Sequence, residues 1–410
     1  MESGVPNFGR FQLIRRVSLG GMAEIYKAKA FGPNGFEKVV AVKRLLPHAE
    51  EDPELVMRFV AEAKLVAQLD HPLIAKTYEV GCVSSDDDRV GHHYLAMEYV
   101  YGADLQELQR VLGEHGLVAD PRLVCAIGIQ AAKALDYAHA FVDEHGVPLR
   151  IVHRDVSPQN LMLASTGELK LIDFGIAKFT GAEGRTRTGV VKGKHAYMSP
   201  EQVRARVVDH RSDIFSLGVI LWELCCGQRL FKGDSVIETF ELVEAARVVP
   251  PDQKVAGVPP ALSRWIVRCL QKDPADRPER AAVLAAGLER VLEKLDPAAA
   301  ADPQALLQQC YATLFGATGT TEDEVSVDEY LQALRAAELG EDQQLVQRQR
   351  SDITIVPDTS DLAAYIATLR ERMPASVPAS APAAEPPPVE PPVAPGTAPA
   401  DPRSEPEPTS

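Results

Sequence analysis

An acid, Asp155, stands five residues before an amide, Asn160, in the stretch IVHRDVSPQNLML (151–163), and a second acid, Asp173, follows in LIDFGIAK. Two carboxylates and one amide oxygen therefore fall within 19 residues. Hard oxygen donors of this kind, few in number, suit Mg²⁺ held jointly with phosphate oxygens. Two other charges are oddly placed. Lys43 ends the apolar run VVAVK, and Glu62 lies on an apolar helical stripe, three residues from Phe59 and four from Val66. A charge on a buried face is costly unless an opposite charge meets it. Paired with each other, Lys43 and Glu62 are both explained.

These residues need elements to carry them. The runs FQLIRRV, EIYKAKA and KVVAVKRLL cluster or alternate apolar residues over 11–46 and read as strands. Residues 53–69 switch to helical spacing, with Asp52 as N-cap and Pro53 as first helical residue. Two more strand-like pieces, 74–81 and 93–99, flank the polar turn SSDDDRVG, and from about 104 the pattern is mostly helical. The runs LMLA and LKLI around the turn STGE predict a hairpin that folds Asn160 and Asp173 toward each other. A strand-rich lobe over 11–100 and a helix-rich lobe over 101–295 together make one bilobal α+β unit.

The totals narrow the function. A net charge of −15 argues against a nucleic acid or an anionic membrane as partner, since both need a basic footprint. Cys82, Cys125, Cys225, Cys226, Cys269 and Cys310 form no CxxC pair and no ligand spacing with histidine, which suits a reducing compartment. No signal peptide is apparent, and Phe215 to Cys226, the most apolar run, is too short for the ~20 residues that a membrane span needs. The expectation is a cytoplasmic protein. His92 and His93 have no partner at metal spacing and read as surface or core residues.

Taken together, VAVK, Glu62, HRDVSPQN, DFG and SPE resemble the protein-kinase signature. The match covers 11 to about 293 and, through GGMAEIYKA and YMSPEQ, is most similar to the bacterial serine/threonine kinases of eukaryotic type. The resemblance implies ATP and Mg²⁺ as cofactors and protein substrates as partners. Lys43 would hold the α- and β-phosphates, braced by Glu62, and Asp155 would take the substrate hydroxyl proton. Asn160 and Asp173 would hold the metal. Val17, Ser18, Leu19, Gly20, Gly21, Met22 and Ala23 would cover the phosphates. Met97, Glu98 and Val100 would form the gatekeeper and hinge, and Ile25, Ala41 and Met162 would sandwich the base. Glu201 with Arg277, and Asp213 with the catalytic loop, would be structural pairs.

The pattern departs from the family in two places. Of the three glycines of G-x-G-x-x-G only the middle one stands, in Ser18-Leu19-Gly20-Gly21-Met22-Ala23. The lysine usual two residues after the catalytic Asp, where it neutralises the γ-phosphate, is Ser157, while the threonine of the family's G-T-x-x-Y segment is Lys194. The expectation is that the two positions have traded roles and that Lys194 supplies the missing ammonium. The rival reading is a pseudokinase scaffold, weak or inactive.

Between DFG and SPE, Thr186 and Thr188 stand at the spacing where related bacterial kinases autophosphorylate, with a homodimer as the implied partner state. A phosphate there adds about −1.5 to −2 charges, which Arg154 and Lys178 would receive. Residues 296–372 read as a helical extension (303–315, 326–338, 361–372) that packs on the large lobe or recruits a partner. From Pro374 onward, 13 prolines in 37 residues predict a disordered tail, with residues 373–410 as a separate segment able to meet a polyproline-binding partner.

Overall fold

The computed structural model describes residues 7–31, 37–83, 91–175 and 194–316. The strand-like runs near the N-terminus build an antiparallel sheet of β1 (Asn7–Phe8), β2 (Phe11–Leu19), β3 (Ala23–Phe31), β4 (Glu37–Leu45), β5 (Thr77–Val83) and β6 (His92–Glu98). Its order is β1-β2-β3-β4-β6-β5. Short α1 (Pro47–Glu50) and longer α2 (Pro53–Val66) lie between β4 and β5 in the chain. Asp52 caps α2 as expected, accepting from the Glu54 and Leu55 amides at 2.9 and 3.4 Å, a cap worth ~1 kcal/mol. Phe59, Ala63 and Val66 are the buried stripe of α2, and Phe59 and Ala63 cluster with Leu45, Ala49 and Leu95 of the sheet side. Glu62 sits half-buried at the edge of that stripe.

The second lobe comprises β7 (Gly102–Asp104), α3 (Leu105–Glu114), α4 (Pro121–His139), β8 (Leu161–Ala164), β9 (Leu169–Leu171), α5 (Pro200–Val203) and α6 (Arg211–Cys226). It continues through α7 (Val236–Ala245), α8 (Pro251–Lys254), α9 (Pro260–Cys269), α10 (Ala281–Leu295), α11 (Pro297–Ala301) and α12 (Pro303–Phe315). The apolar run Phe215 to Cys226 is explained by burial, because α6 is covered on every side in the core of this lobe. Among the described residues no helix is long and apolar enough to cross a membrane. The expected hairpin forms, with Leu161 opposite Leu171 and Leu163 opposite Leu169. It also ties the lobes together, since the Leu171 amide donates to Leu73 O at 2.8 Å and Leu171 O accepts from Ala75 at 3.0 Å.

Some boundaries differ from the sequence reading. Residues 74–76 are not the start of a strand, because Ile74 bridges to Leu171 and that backbone is spent on the hairpin; β5 begins at Thr77. α2 ends at Val66, and Leu69 reaches the core from a turn instead. His93 faces an acid after all, its Nδ1 lying 2.8 Å from Glu50 Oε2 across α1. The second and third helices of the extension and the proline-rich segment lie outside the described residues, as do Lys178, Thr186 and Thr188.

The first helix of the extension is present as α12, and it packs on the large lobe. Leu307, Cys310 and Leu314 are buried in the main core. Its first turn closes on the tip of the β8–β9 hairpin, where Gln304 Nε2 donates to Thr166 O at 3.0 Å. Gly167 at that tip has φ +83°, and a Cβ there would lie 2.2 Å from Gln304 O. Gly167→Ala therefore meets a left-handed backbone and a rigid carbonyl together, an expected cost of ~2–3 kcal/mol. Thermal denaturation reads this directly, and an unchanged midpoint would show that α12 yields at no cost.

Candidate active site

The loop of residues 151–160 is positioned by one buried carboxylate. Asp213, in the first turn of α6 and 1% exposed, accepts from the His153 and Arg154 amides at 2.8 Å each and from His139 Nε2 at 2.8 Å. Burial would raise the Asp213 carboxyl, but its hydrogen bond to His139, that ring's charge and His153 outweigh this and hold it below the usual carboxylate range. Arg154 takes φ 63°, a conformation that a side chain rarely adopts. The Asp213 bonds and Gln202, whose Nε2 donates to Arg154 O at 3.0 Å, hold it there. His153 is fully enclosed and packs at a tilt against Phe174, with ring centroids 4.5 Å apart. Its Nδ1 accepts from the Asp155 amide at 3.3 Å, so its Nε2 is the nitrogen that donates to Ile172 O at 3.1 Å. Burial pushes its pKa down, which keeps the ring neutral.

Asn160 closes a single 3₁₀ turn at the mouth of β8. Its Nδ2 donates to Asp155 O at 2.7 Å and to Asp155 Oδ2 at 2.9 Å, which leaves Oδ1 as its lone-pair atom. Asp173, just past β9, has φ 58° and forms an ion pair with Lys43 of β4. Gly175 lets the two acids approach, since a Cβ there would lie 2.7 Å from the Asp155 Cβ. Burial alone would lower the Lys43 pKa. The carboxylates of Asp173, Glu62 and Asp155 overcome that and hold it above the ordinary lysine value. The direct partner of Lys43 is thus Asp173, with Glu62 acting through its charge from the edge of α2.

Asn160 Oδ1 and the Asp173 carboxylate are the kind of donor set that fits Mg²⁺, which keeps its other positions for water and phosphate oxygens. Strand register places Ala41 opposite Met97 and Ile25 opposite Lys43. Ala41 and Met97 are buried, whereas Val17, Ile25, Val100 and Met162 are partly exposed. The segment Ser18–Ala23 forms the β2–β3 tip, pinned by the Gly20 amide on Ala23 O at 2.8 Å. The Glu98 carboxylate is engaged by Lys170 at 3.0 Å.

Lys194 also arrives at this site, with its Nζ 3.2 Å from Asp155 Oδ2. Glu201 and Arg277 form the expected buried pair at 2.7 Å. Sequence reasoning missed His139 and Gln202, both of which position the catalytic loop. A histidine in the last turn of an apolar helix just before that loop was the available signal for the first. Nothing local marks the second.

Residues 11–287 match the family model of the protein kinase domain. The sequence is 39% identical to the tyrosine-protein kinase MasK of Myxococcus xanthus over 287 residues, 70% of this chain and 44% of that one. It is 35% identical to the serine/threonine-protein kinase PknB of Mycolicibacterium smegmatis over 290 residues, again 70% of this chain and 44% of that one. The chain thus spans less than half the length of these curated relatives. Among solved structures, the kinase domain of PknI from Mycobacterium tuberculosis superposes with a TM-score of 0.52 at 25% identity, covering 71% of this chain and 98% of that one.

Proposed function

The chain belongs to the protein kinase family, and from that premise we propose that it transfers the γ-phosphoryl group of ATP to serine and threonine hydroxyls of proteins, its own activation segment included, in cytoplasmic signalling. The observation that carries this reading is that Lys43 pairs with Asp173, Asn160 bonds Asp155, and the Asp155 charge reaches Lys43. In phosphoryl transfer the protein's work is positioning and charge stabilisation. Lys43 binds the α- and β-phosphates, braced electrostatically by Glu62. The β2–β3 tip covers them, with Gly20 allowing close backbone approach. Ile25, Ala41 and Met162 sandwich the adenine against the Glu98–Val100 hinge. Asp155 orients the substrate hydroxyl and accepts its proton. Mg²⁺, held by Asn160 and Asp173, supplies neutralisation of the β- and γ-phosphate charge.

Serine/threonine preference is supported by relatives such as PknB and by the Ser157-Pro158 wording of the catalytic loop, which does not resemble the A-A-R or R-A-A of the tyrosine branch. MasK carries a tyrosine-kinase name, so the acceptor is the point to measure. The cysteines are free, and all but Cys82 are buried, which supports a reducing compartment. Incubation of the purified protein with ATP and Mg²⁺, followed by phosphoamino-acid analysis and mass spectrometry, is expected to find phosphate on Thr186 and Thr188. Phosphotyrosine alone would overturn the acceptor preference. No incorporation into itself or into added protein would overturn the activity and favour a scaffold.

A further inference from the structure

Ser157 poses a difficulty for the activity just proposed. Developing charge on the transferred phosphoryl group needs a cation beside the catalytic acid, and the catalytic loop offers a short hydroxyl there. Ser157 is 2% exposed, and its Oγ finds no hydrogen-bond partner among the described residues. It cannot do the work of an ammonium, and it is not serving a neighbour instead.

Lys194 reaches the catalytic acid instead. Its Nζ lies 3.2 Å from Asp155 Oδ2, the oxygen that Asn160 Nδ2 reaches at 2.9 Å, and its side chain is 18% exposed. A solvated surface lysine would have no reason to be drawn in this far. Its stem is held firmly. Lys194 opens a 3₁₀ turn ending at Tyr197. The Tyr197 hydroxyl donates to Glu223 Oε2 at 2.7 Å, and Tyr197 O accepts from Ser216 Oγ at 2.7 Å. Both partners belong to α6, the helix whose Asp213 holds the catalytic loop. Asp155 and Lys194 are therefore referenced to a single rigid element, although 39 residues separate them.

We propose that Lys194, which opens the 3₁₀ turn leading toward α5, is the catalytic cation of this kinase in place of the absent catalytic-loop lysine. The inference rests on the phosphotransfer reading. In the step itself the substrate hydroxyl oxygen bonds to the γ-phosphorus, and its proton passes to Asp155. The bond from that phosphorus to the β–γ bridging oxygen breaks, and ADP leaves with the electron pair. Lys194 gives up no proton in this step and pairs through its Nζ with a γ-phosphoryl oxygen. In the usual arrangement this charge sits on the loop that carries the acid. Here it sits 39 residues further along the chain, on the 3₁₀ turn at Lys194–Tyr197.

A transposition experiment tests this. Initial rates on myelin basic protein are compared for wild type, Lys194→Thr, Ser157→Lys and the double variant, with binding of a fluorescent ATP analogue and the thermal midpoint recorded for each. Lys194→Thr is expected to lose about 10²-fold in kcat with the KM for ATP changed less than about threefold. The double variant, which restores the family arrangement, is expected to regain at least about tenfold over Lys194→Thr. A structural role for Lys194 predicts no such rescue. Wild-type kcat in Lys194→Thr would overturn the proposal, and so would a double variant no faster than the single one. Should Lys194→Thr fail to bind nucleotide, Lys194→Met is used in its place. A wild type that transfers no phosphate defeats the kinase reading itself, which separates the two failures.

Discussion

Asp155→Asn is expected to lower kcat for phosphoryl transfer by about 10³-fold, within the range that a positioned general base contributes. The substitution keeps size and shape. An amide oxygen can still accept from Asn160 Nδ2 and from Lys194, the two groups that meet Asp155 Oδ2. It can neither carry the negative charge that orients the hydroxyl nor take its proton. Because the loop is also held from Asp213 and Gln202, and the amide keeps an acceptor oxygen for Asn160, the thermal midpoint and the KM for ATP are expected to stay near wild type. The measurement is a steady-state rate with a protein substrate beside a melting curve. A variant within tenfold of wild-type kcat would remove Asp155 from the role assigned to it.

Arg277→Ala is expected to cost ~3–5 kcal/mol, the penalty for leaving one member of a buried ion pair alone. The geometry explains why the loss is large. Nη1 and Nη2 reach Glu201 Oε1 and Oε2 at 2.7 and 2.8 Å. The remaining donors go to the carbonyls of Gln271, Arg211 and Lys272 at 2.8, 3.0 and 3.2 Å. All five N–H donors of a guanidinium are then spent, and the group also stacks over Phe215, 4.9 Å from its centroid. Alanine would strand a buried carboxylate and these carbonyls together. Lysine, with three donors on a flexible stem, would not repair a fork of this kind. Differential scanning calorimetry is expected to show a midpoint lower by roughly 10 °C. A fall of less than about 3 °C would mean that the pair contributes little.

The same pair has a pH signature. Burial would raise the Glu201 carboxyl, but the hydrogen bond and charge of Arg277 hold it below its ordinary 4.5. A lowered folded-state pKa contributes stability that is complete above the unfolded value. It is lost as pH falls through the folded one, so the gap between wild type and Arg277→Ala should narrow only in acid below about pH 4.5. Function follows from stability here. Glu201 is in the turn that carries Gln202, and Gln202 holds the Arg154 carbonyl next to the catalytic acid. Loosening the pair loosens the loop.

Much of the site was legible because its signals are local. The order of Asp155, Asn160 and Asp173 around two short apolar runs was enough to predict the hairpin that aligns them, since strand register follows from the alternation of buried residues. The capping of α2 by Asp52 was readable for the same reason, as a cap depends on residues within one turn. The direct partner of Lys43 was not readable. Which of two acids reaches a lysine is set by the distance between β4, α2 and the end of β9, and no spacing in the chain encodes that distance. The burial of α12 was equally hidden. Its apolar residues suit docking on this lobe or on another protein, and the burial of Leu307, Cys310 and Leu314 together with the fit of Gln304 against Gly167 distinguishes them.

By itself, the sequence determined the parts: which side chains could carry charge, metal and proton, and which apolar periods would form strands and helices. It even marked the exchange of Ser157 and Lys194, because a missing charge and a surplus one are both visible as letters. Only the tertiary structure decided that Lys194 meets Asp155, that one carboxylate on α6 holds the catalytic loop, and that α12, beyond the matched family domain, belongs to the core of the large lobe. The reason is physical. Local propensity acts over a few residues, whereas these contacts join groups tens to hundreds of positions apart and exist only once the packed core has brought their helices and strands together.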